Sequence, residues 1–387
     1  MNRGPQGRYE ETSVSGETVR AFVPSALPPS PPIDLGGERQ HLHERALLAC
    51  GRLDGLSALL PDPDLFLYAY VRREALLSSQ IEGTQSSLSD LLLFEMEEAP
   101  GVPFDDVVEV SNYVAALEHG MTRLRGGFPL SNRLLREVHG KLLERGRGAE
   151  KMPGEFRRSQ NWIGGRRPGV AHFVPPPPGR VAVCMAELER YLHDDSPGLP
   201  ALVKAAAAHV QFETIHPFLD GNGRVGRLMV SLILHEAQVM RQPLLYLSLF
   251  LKQHRADYYR LLDEVRERGE WEAWVEFFLE GVGQTASAAV ETAHRLLALF
   301  REDEARVAGE GRRANSLLRL YAALRARPLT TITELSRRSG LSFPTAAMGA
   351  EALTKLGIVR ELTGRDRHRI FSYDRYVAIL SEGTEPL

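Results

Sequence analysis

From Glu38 onward, apolar residues recur every three or four positions along most of the chain, the spacing that turns one face of a helix inward. LHERALLACGRLDGLSALL from Leu42, LFLYAYVRREALLSSQIEG from Leu65, DVVEVSNYVAALEHGMTRL from Asp106 and LSNRLLREVHGKLL over Leu130–Leu143 all carry this pattern. It continues through Val181–His193, residues 200–215, and a long segment from Pro243 that includes Trp271 and Trp274. Prolines and glycines punctuate it. PDPD at 61–64 predicts a break with Asp64 capping the next helix, and GVPFD at 101–105 predicts a second break, with Asp105 or Asp106 as the cap. Residues 1–20 are polar and are expected to be loose. ALPPSPPI at 26–33 reads as an extended strap over the surface.

The period changes at 154–178. NWI and HFVP are short β-like runs divided by glycine-rich turn residues, so a small hairpin is expected. A polar, alanine-rich helix and a charged linker, REDEARVAGEGRR, at 281–312 read as a domain boundary. Beyond it come a helix ended by Pro328, a second ended by Gly340, a third ended by Gly357, and two strands, IVREL and HRIFSY, joined by TGRDR. That order resembles a winged helix-turn-helix unit. The fold class is therefore mainly α.

Composition narrows the picture a little. A chain of 387 residues and 43.1 kDa has room for two or three domains. The formal net charge of −3 gives no global case for nucleic acid or membrane binding. Cys50 and Cys184 make no disulfide scaffold and fit a reducing, cytoplasmic setting. The first residues lack the apolar core of a signal peptide, and no apolar run nears the roughly 18 residues of a membrane span.

The chemistry concentrates in His216–Arg227, HPFLDGNGRVGR, with helical sequence on both sides. Gly221 and Gly223 permit positive φ, and Asn222 tolerates it, so successive N–H groups can turn inward as an anion nest. The next helix, expected to begin near Arg224, adds its positive end. Arg224 and Arg227 are three apart on one face and suit a polyphosphate. Asp220 is a hard oxygen ligand that could hold Mg²⁺ with substrate phosphates. His216 can take a proton near neutral pH. No GK[ST] follows, so this is not a Walker loop, and no strand leads in, so it is not a dinucleotide fingerprint. Together these parts point to phosphoryl or nucleotidyl transfer.

The stretch resembles the Fic (Fic/Doc) family motif HPFx[D/E]GNGRxxR, and the resemblance extends from about residue 20 to 280. It implies a Fic-type helical core with a β-hairpin flap and transfer of AMP from ATP to a Ser, Thr or Tyr hydroxyl of a target protein or of the chain itself. His216 would be the base, Asp220 the Mg²⁺ ligand, and Gly221, Asn222, Gly223 and Gly226 part of the nucleotide site. Arg224 would grip the β-phosphate and Arg227 the γ-phosphate. Ser78-Ser79-Gln80-Ile81-Glu82-Gly83 resembles the family's inhibitory motif [S/T]xxxE[G/N], which implies that Glu82 pairs with Arg227 and misplaces ATP. In some relatives that glutamate instead supports removal of AMP. Tyr259 is carried over as the ring nearest adenine or ribose, with a core role for both Tyr258 and Tyr259 equally open. The target would dock along the 161–175 flap, and a homodimer is implied.

The expected division is 1–110, an N-terminal helical region with the inhibitory helix; 111–285, the catalytic domain; 286–315, a helical linker; and 316–387, the winged helix-turn-helix. Between 328 and 375 stand eight Lys/Arg against five Asp/Glu, short of a strongly basic footprint. Only Lys355 lies on the third helix, whereas Arg365, Arg367 and Arg369 lie in the wing, so DNA stays open beside protein recognition. Two rivals remain: the same site transferring UMP, phosphocholine or phosphate, and a non-catalytic regulator that only senses nucleotide.

Overall fold

The computed structural model describes residues 3–14, 16–59, 63–94, 104–194, 198–365 and 368–385. The chain opens on an antiparallel hairpin of β1 (Gly7–Val14) and β2 (Glu17–Pro24), paired from Gly7↔Pro24 to Val14↔Glu17. This corrects the expectation of a loose start. Val19, Ala21 and Val23 alternate with Thr18 and Arg20, a period-2 signal outweighed by the polar composition around it. Val14, Val19 and Ala21 pack with Val174, and Phe22 N–H donates to Val174 O at 2.9 Å, so β2 lies beside the expected flap. Arg3 also ties this end down, pairing with Glu272 at 2.5 Å.

Helices follow: α1 (Glu38–Leu59), α2 (Pro63–Ile81), α3 (Leu88–Phe94), α4 (Phe104–Arg125) and α5 (Asn132–Leu142). Next come α6 (Pro178–His193), α7 (Ala201–Ile215), α8 (Asn222–Glu236), α9 (Ser248–Gln253), α10 (Arg255–Arg268) and α11 (Trp271–Ala308). Asp64 does not cap α2. Pro63 starts the helix, which a proline does without loss because that N–H would be unpaired anyway. Likewise α4 starts at Phe104, placing Asp105 and Asp106 in its first turn, where they face the positive helix end. Of the breaks predicted at 61–64 and 101–105, residues 61–62 and 101–103 lie outside the described residues, and 63–64 and 104–105 are already helical.

The core is built around α7. Ala205, Ala206, Ala207 and Ala208 are all fully buried, so neighbours approach this helix from every side. It lies against α8, α6, α11 and β2, and Trp274 Nε1 donates to Ala206 O at 2.9 Å. Such all-round burial makes α7 a rigid post for the loop that follows it.

The long α11 packs on α1 and then reaches the C-terminal unit. That unit comprises α12 (Ala314–Ala326), β3 (Leu329–Thr331), α13 (Ile332–Ser339), α14 (Phe343–Lys355), β4 (Arg360–Glu361), β5 (Ile370–Ser372) and α15 (Asp374–Ser381). The three strands form an antiparallel sheet in the order β3-β5-β4. Thr331 and Ser342 cap α13 and α14, and Gly340 stops α13 in the left-handed region. The two strands expected after the third helix are present, much shorter than their sequence runs, and β3 is an addition. Three residues after a proline are too few to read as a strand. Arg367 lies outside the described residues. Buried Asp303 of α11 accepts from Tyr373 at 2.7 Å, and Tyr373 bonds Tyr321 at 3.1 Å. The C-terminal unit is thereby held to α11 by a satisfied polar cluster. Among the described residues, no helix is long and apolar enough to cross a membrane.

Candidate active site

Helix α7 ends on His216, whose backbone is left-handed (φ 49°, ψ 60°), so the imidazole leaves the helix axis where the chain turns. The loop after it is tied internally. Asn222 Oδ1 accepts from Phe218 N–H at 2.8 Å, and its Nδ2 donates to Phe218 O at 2.9 Å. With Gly221 at φ 74° in the position before it, α8 starts at Asn222, two residues ahead of the expected start at Arg224. His139 supports the turn from behind as a packed histidine. It stacks on Phe218 at 3.7 Å, its Nδ1 accepts from Gly154 N–H at 2.8 Å, and its Nε2 lies 3.1 Å from Asp220 O. Those bonds require the neutral Nε2–H tautomer, consistent with burial pushing its pKa down to about 4.

Arg157 is a further clamp, one that the sequence gave no periodic signal for. It is buried, and its donors go to backbone oxygens: Nε to His216 at 2.9 Å and Nη2 to Pro176 at 2.6 Å. With no carboxylate bonded to it among the described residues, this guanidinium adds positive potential under the histidine. Burial first, and the Arg157 charge second, push His216 down to about 4. At neutral pH its imidazole is uncharged and can accept a proton.

His216, Asp220, Gly221, Asn222, Gly223 and Arg224 line one cleft of about 220 Å³, joined by Glu82, Glu109 and Arg147. A larger groove, about 760 Å³ between α1 and α11, contains none of these residues. Arg227 is buried and meets the cleft through Glu82, not as a lining residue. Its Nη2 donates to Glu82 Oε1 at 2.7 Å and to Ser78 O at 2.9 Å, and its Nε donates to Ser78 Oγ at 2.8 Å. Burial is the largest single influence and pushes the Glu82 carboxyl up, but the Arg227 charge and hydrogen bond, with the Arg224 charge, together outweigh it and hold the carboxyl below its ordinary range. Gly223 makes room for this contact, since a Cβ there would stand 2.3 Å from Glu82 Oε1. The turn presenting Glu82 is braced from behind. Gln80 Nε2 donates to Thr384 O at 2.8 Å, and Lys252 donates to Gln80 Oε1 at 2.7 Å and to the Glu385 carbonyl.

Arg224 is held by Glu109 of α4 at 3.2 Å and lies 3.5 Å from Asp220 Oδ1. Four predicted site residues do not line the cleft: Ser78 and Arg227, which meet it through Glu82, and Gly226 and Tyr259, which fall elsewhere. Gly226 faces α7, where a Cβ would meet Glu213 Oε1 at 2.3 Å, so it serves close helix packing. Tyr259 is 39% exposed and is not among the cleft's lining residues, whereas Tyr258 is buried with its hydroxyl 2.9 Å from His209 Nε2. The flap is a narrow loop closed by mutual Ile163–Phe173 backbone bonds of 2.8 and 3.1 Å. Sequence reasoning missed Glu109 and Arg147. Arg147 sits between Gly146 and Gly148, and that Gly-Arg-Gly turn was the available signal.

Comparison with known proteins decides the family. Residues 40–122 match the Fic/DOC family N-terminal region, and residues 129–234 match the Fic/DOC family itself. The chain belongs to the Fic/DOC family. It is 30% identical over 238 residues to Protein adenylyltransferase Fic of Culex quinquefasciatus, covering 59% of this chain and 44% of that one. With the Drosophila melanogaster protein of the same name it shares 36% over 133 residues, 34% of this chain and 24% of that one. The chain thus spans less than half the length of the curated Fic relatives it matches. Its fold is similar to a Fic family protein from Desulfovibrio desulfuricans G20, at TM-score 0.55 and 22% identity, over 86% of this chain and 95% of that one. It is also similar to Fic-1 (residues 134–508) of C. elegans, at TM-score 0.51 and 22% identity, over 67% and 74%.

Proposed function

We propose that this Fic chain transfers AMP from ATP to a Ser, Thr or Tyr hydroxyl of a target protein, and that its resting form is held off by Glu82. The observation that carries the reading is the Glu82–Arg227–Ser78 fork. A carboxylate is seated on a buried arginine at a glycine-lined helix start, the place a terminal phosphate would take.

In the transfer, the target hydroxyl oxygen bonds to the α-phosphorus, the bond from that phosphorus to the oxygen bridging the β-phosphate breaks, and pyrophosphate leaves with the electron pair. Neutral His216 accepts the hydroxyl proton. Arg224 and Arg227 hold the β- and γ-phosphates, fixing the α-phosphorus in line. With Glu82 on Arg227 the tail seats wrongly and the line is lost.

Among the described residues, no three His, Cys, Asp or Glu side chains gather as a metal cage. Of the three carboxylates lining the cleft, Glu82 is taken by Arg227 and Glu109 by Arg224 and Arg147, while Asp220 is 38% exposed and no closer than 3.5 Å to Arg224. That donor fits Mg²⁺, which takes most of its ligands from phosphates and water. When bound there it would neutralise phosphate charge.

The outer face of α14 carries exposed Phe343 and Met348. This supports protein rather than DNA as what the C-terminal unit contacts. The test of the main reading is incubation of wild type, Glu82→Gly and Glu82→Gly/His216→Ala with α-labelled ATP and Mg²⁺. The reading requires label on protein in the second and none in the third. Parallel UTP, GTP and CTP arms test the donor. Equal, low label throughout would instead favour a nucleotide sensor.

A further inference from the structure

One wall of the cleft comes from neither the motif nor the helix bearing Glu82. Between α5 and α6, Gly146 and Gly148 have φ of 76° and 87°, and Asn112 Nδ2 donates to Arg145 O at 2.8 Å. This pinned turn sets Arg147 at the edge of the cleft lined by His216 and Asp220–Arg224. Arg147 Nε donates to Glu109 Oε1 at 2.5 Å, and its Nη2 to Asp106 Oδ1 at 3.0 Å. The other oxygen of Glu109 accepts from Arg224 at 3.2 Å. One buried carboxylate is therefore shared between a motif arginine and an arginine from outside the motif.

The same turn abuts Asp220. A Cβ on Gly148 would stand 2.7 Å from Asp220 Oδ2, so glycine there admits the carboxylate. Arg224 is nearly fully buried, but the Arg147 side chain is 57% exposed. Its two bonds leave further N–H donors of the five on a guanidinium. A half-open cation beside Arg224 and Asp220 is placed for the same phosphate that they would serve.

We infer that Arg147 is a third phosphate-binding arginine, taking the β-phosphate side of the nucleotide and the pyrophosphate that leaves. The inference rests on the ATP reading above. As the bond to the α-phosphorus breaks, negative charge grows on the departing diphosphate, and Arg147 with Arg224 faces that charge. The role sets a preference for nucleoside triphosphates and diphosphates over monophosphates.

The test uses the full chain carrying Glu82→Gly, alone and with Arg147→Ala or Arg147→Lys. Calorimetry with Mg²⁺ measures binding of ATP, inorganic pyrophosphate and AMP. Arg147→Ala is expected to weaken ATP and pyrophosphate about tenfold to a hundredfold, the worth of one or two charge-assisted hydrogen bonds, and to leave AMP unchanged. Arg147→Lys should recover part of the loss. Equal ATP affinity with and without Arg147 overturns the inference, as does an equal loss for AMP, which would mark a collapsed turn. If the Glu82→Gly chain binds no MgATP at all, the nucleotide reading itself fails and takes this inference with it.

Discussion

Glu82 and Gly223 are complementary in shape: the glutamate Oε1 stands 2.3 Å from where a Cβ on residue 223 would lie. One position thus answers two demands, a backbone open to phosphate and a gap for the acid that competes with it. Gly223→Ala should displace Glu82, whose end is flexible, yet fill the cradle with a methyl. Glu82→Gly/Gly223→Ala is then expected to label with AMP on the order of 10²-fold less than Glu82→Gly, the scale of a small misplacement at the reacting centre. Comparable labelling of the two would mean the cradle does not hold phosphate.

The brace behind Glu82 gives a second expectation. Gln80 joins α2 to Thr384 and Lys252. Gln80→Ala removes these bonds and a third, from its Nε2 to Ser86 O at 3.0 Å, without touching the cleft, so the turn presenting Glu82 loosens. Basal labelling should rise several-fold, roughly as expected for one to two hydrogen bonds of about 1 kcal/mol each. It should stay below the Glu82→Gly level. Labelling unchanged from wild type would show that the turn holds itself.

Much of the site was legible in the sequence, because its parts are adjacent in the chain. Gly221 takes the left-handed backbone a turn needs and helical sequence on both sides specifies what the turn joins, although Asn222 and Gly223, expected in the turn, are already the first residues of α8. Glu82 was legible only through its resemblance to a family motif, since a glutamate on a helix gives no local hint of an arginine 145 residues away. Glu109, Arg147 and Arg157 were missed for the same reason. Their partners are set by tertiary packing, which leaves no periodic trace. Gly226 shows the reverse case. It lies within the motif, but its small size serves the α7–α8 contact.

Arg224 and Glu109 form a buried pair, 4% and 3% exposed. Glu109→Gln leaves the Arg224 charge with Asp220, 3.5 Å away, as its nearest carboxylate and leaves Arg147 held by Asp106 alone. Removing one partner of a buried pair costs about 3–5 kcal/mol, and Asp220 should keep the loss near the low end, about 3 kcal/mol. Urea unfolding checks this. A loss under about 0.5 kcal/mol, the scale of a surface substitution, would show the pair is not coupled to folding.

His216 also has a pH signature. Its pKa lies near 4 instead of the ordinary 6.5, because burial and Arg157 disfavour the imidazolium. The ring therefore stays neutral as pH falls from 8 to about 5.5 and takes its proton only as pH nears 4. The Cε1–H resonance of His216, assigned by comparison with His216→Ala, should hold still over pH 5.5–8. A titration centred near 6.5 would show a solvated ring.

The central claim is that the imidazole of residue 216 faces an incoming alcohol beside a nucleotide tail that Glu82 normally keeps out. Intact-mass and peptide mass spectrometry of the Glu82→Gly chain after MgATP tests it most directly. The account predicts an added adenylyl group on a Ser, Thr or Tyr, absent when His216→Ala is added. An unmodified Glu82→Gly chain, with or without candidate target proteins, or an equal gain in the double variant, would contradict it.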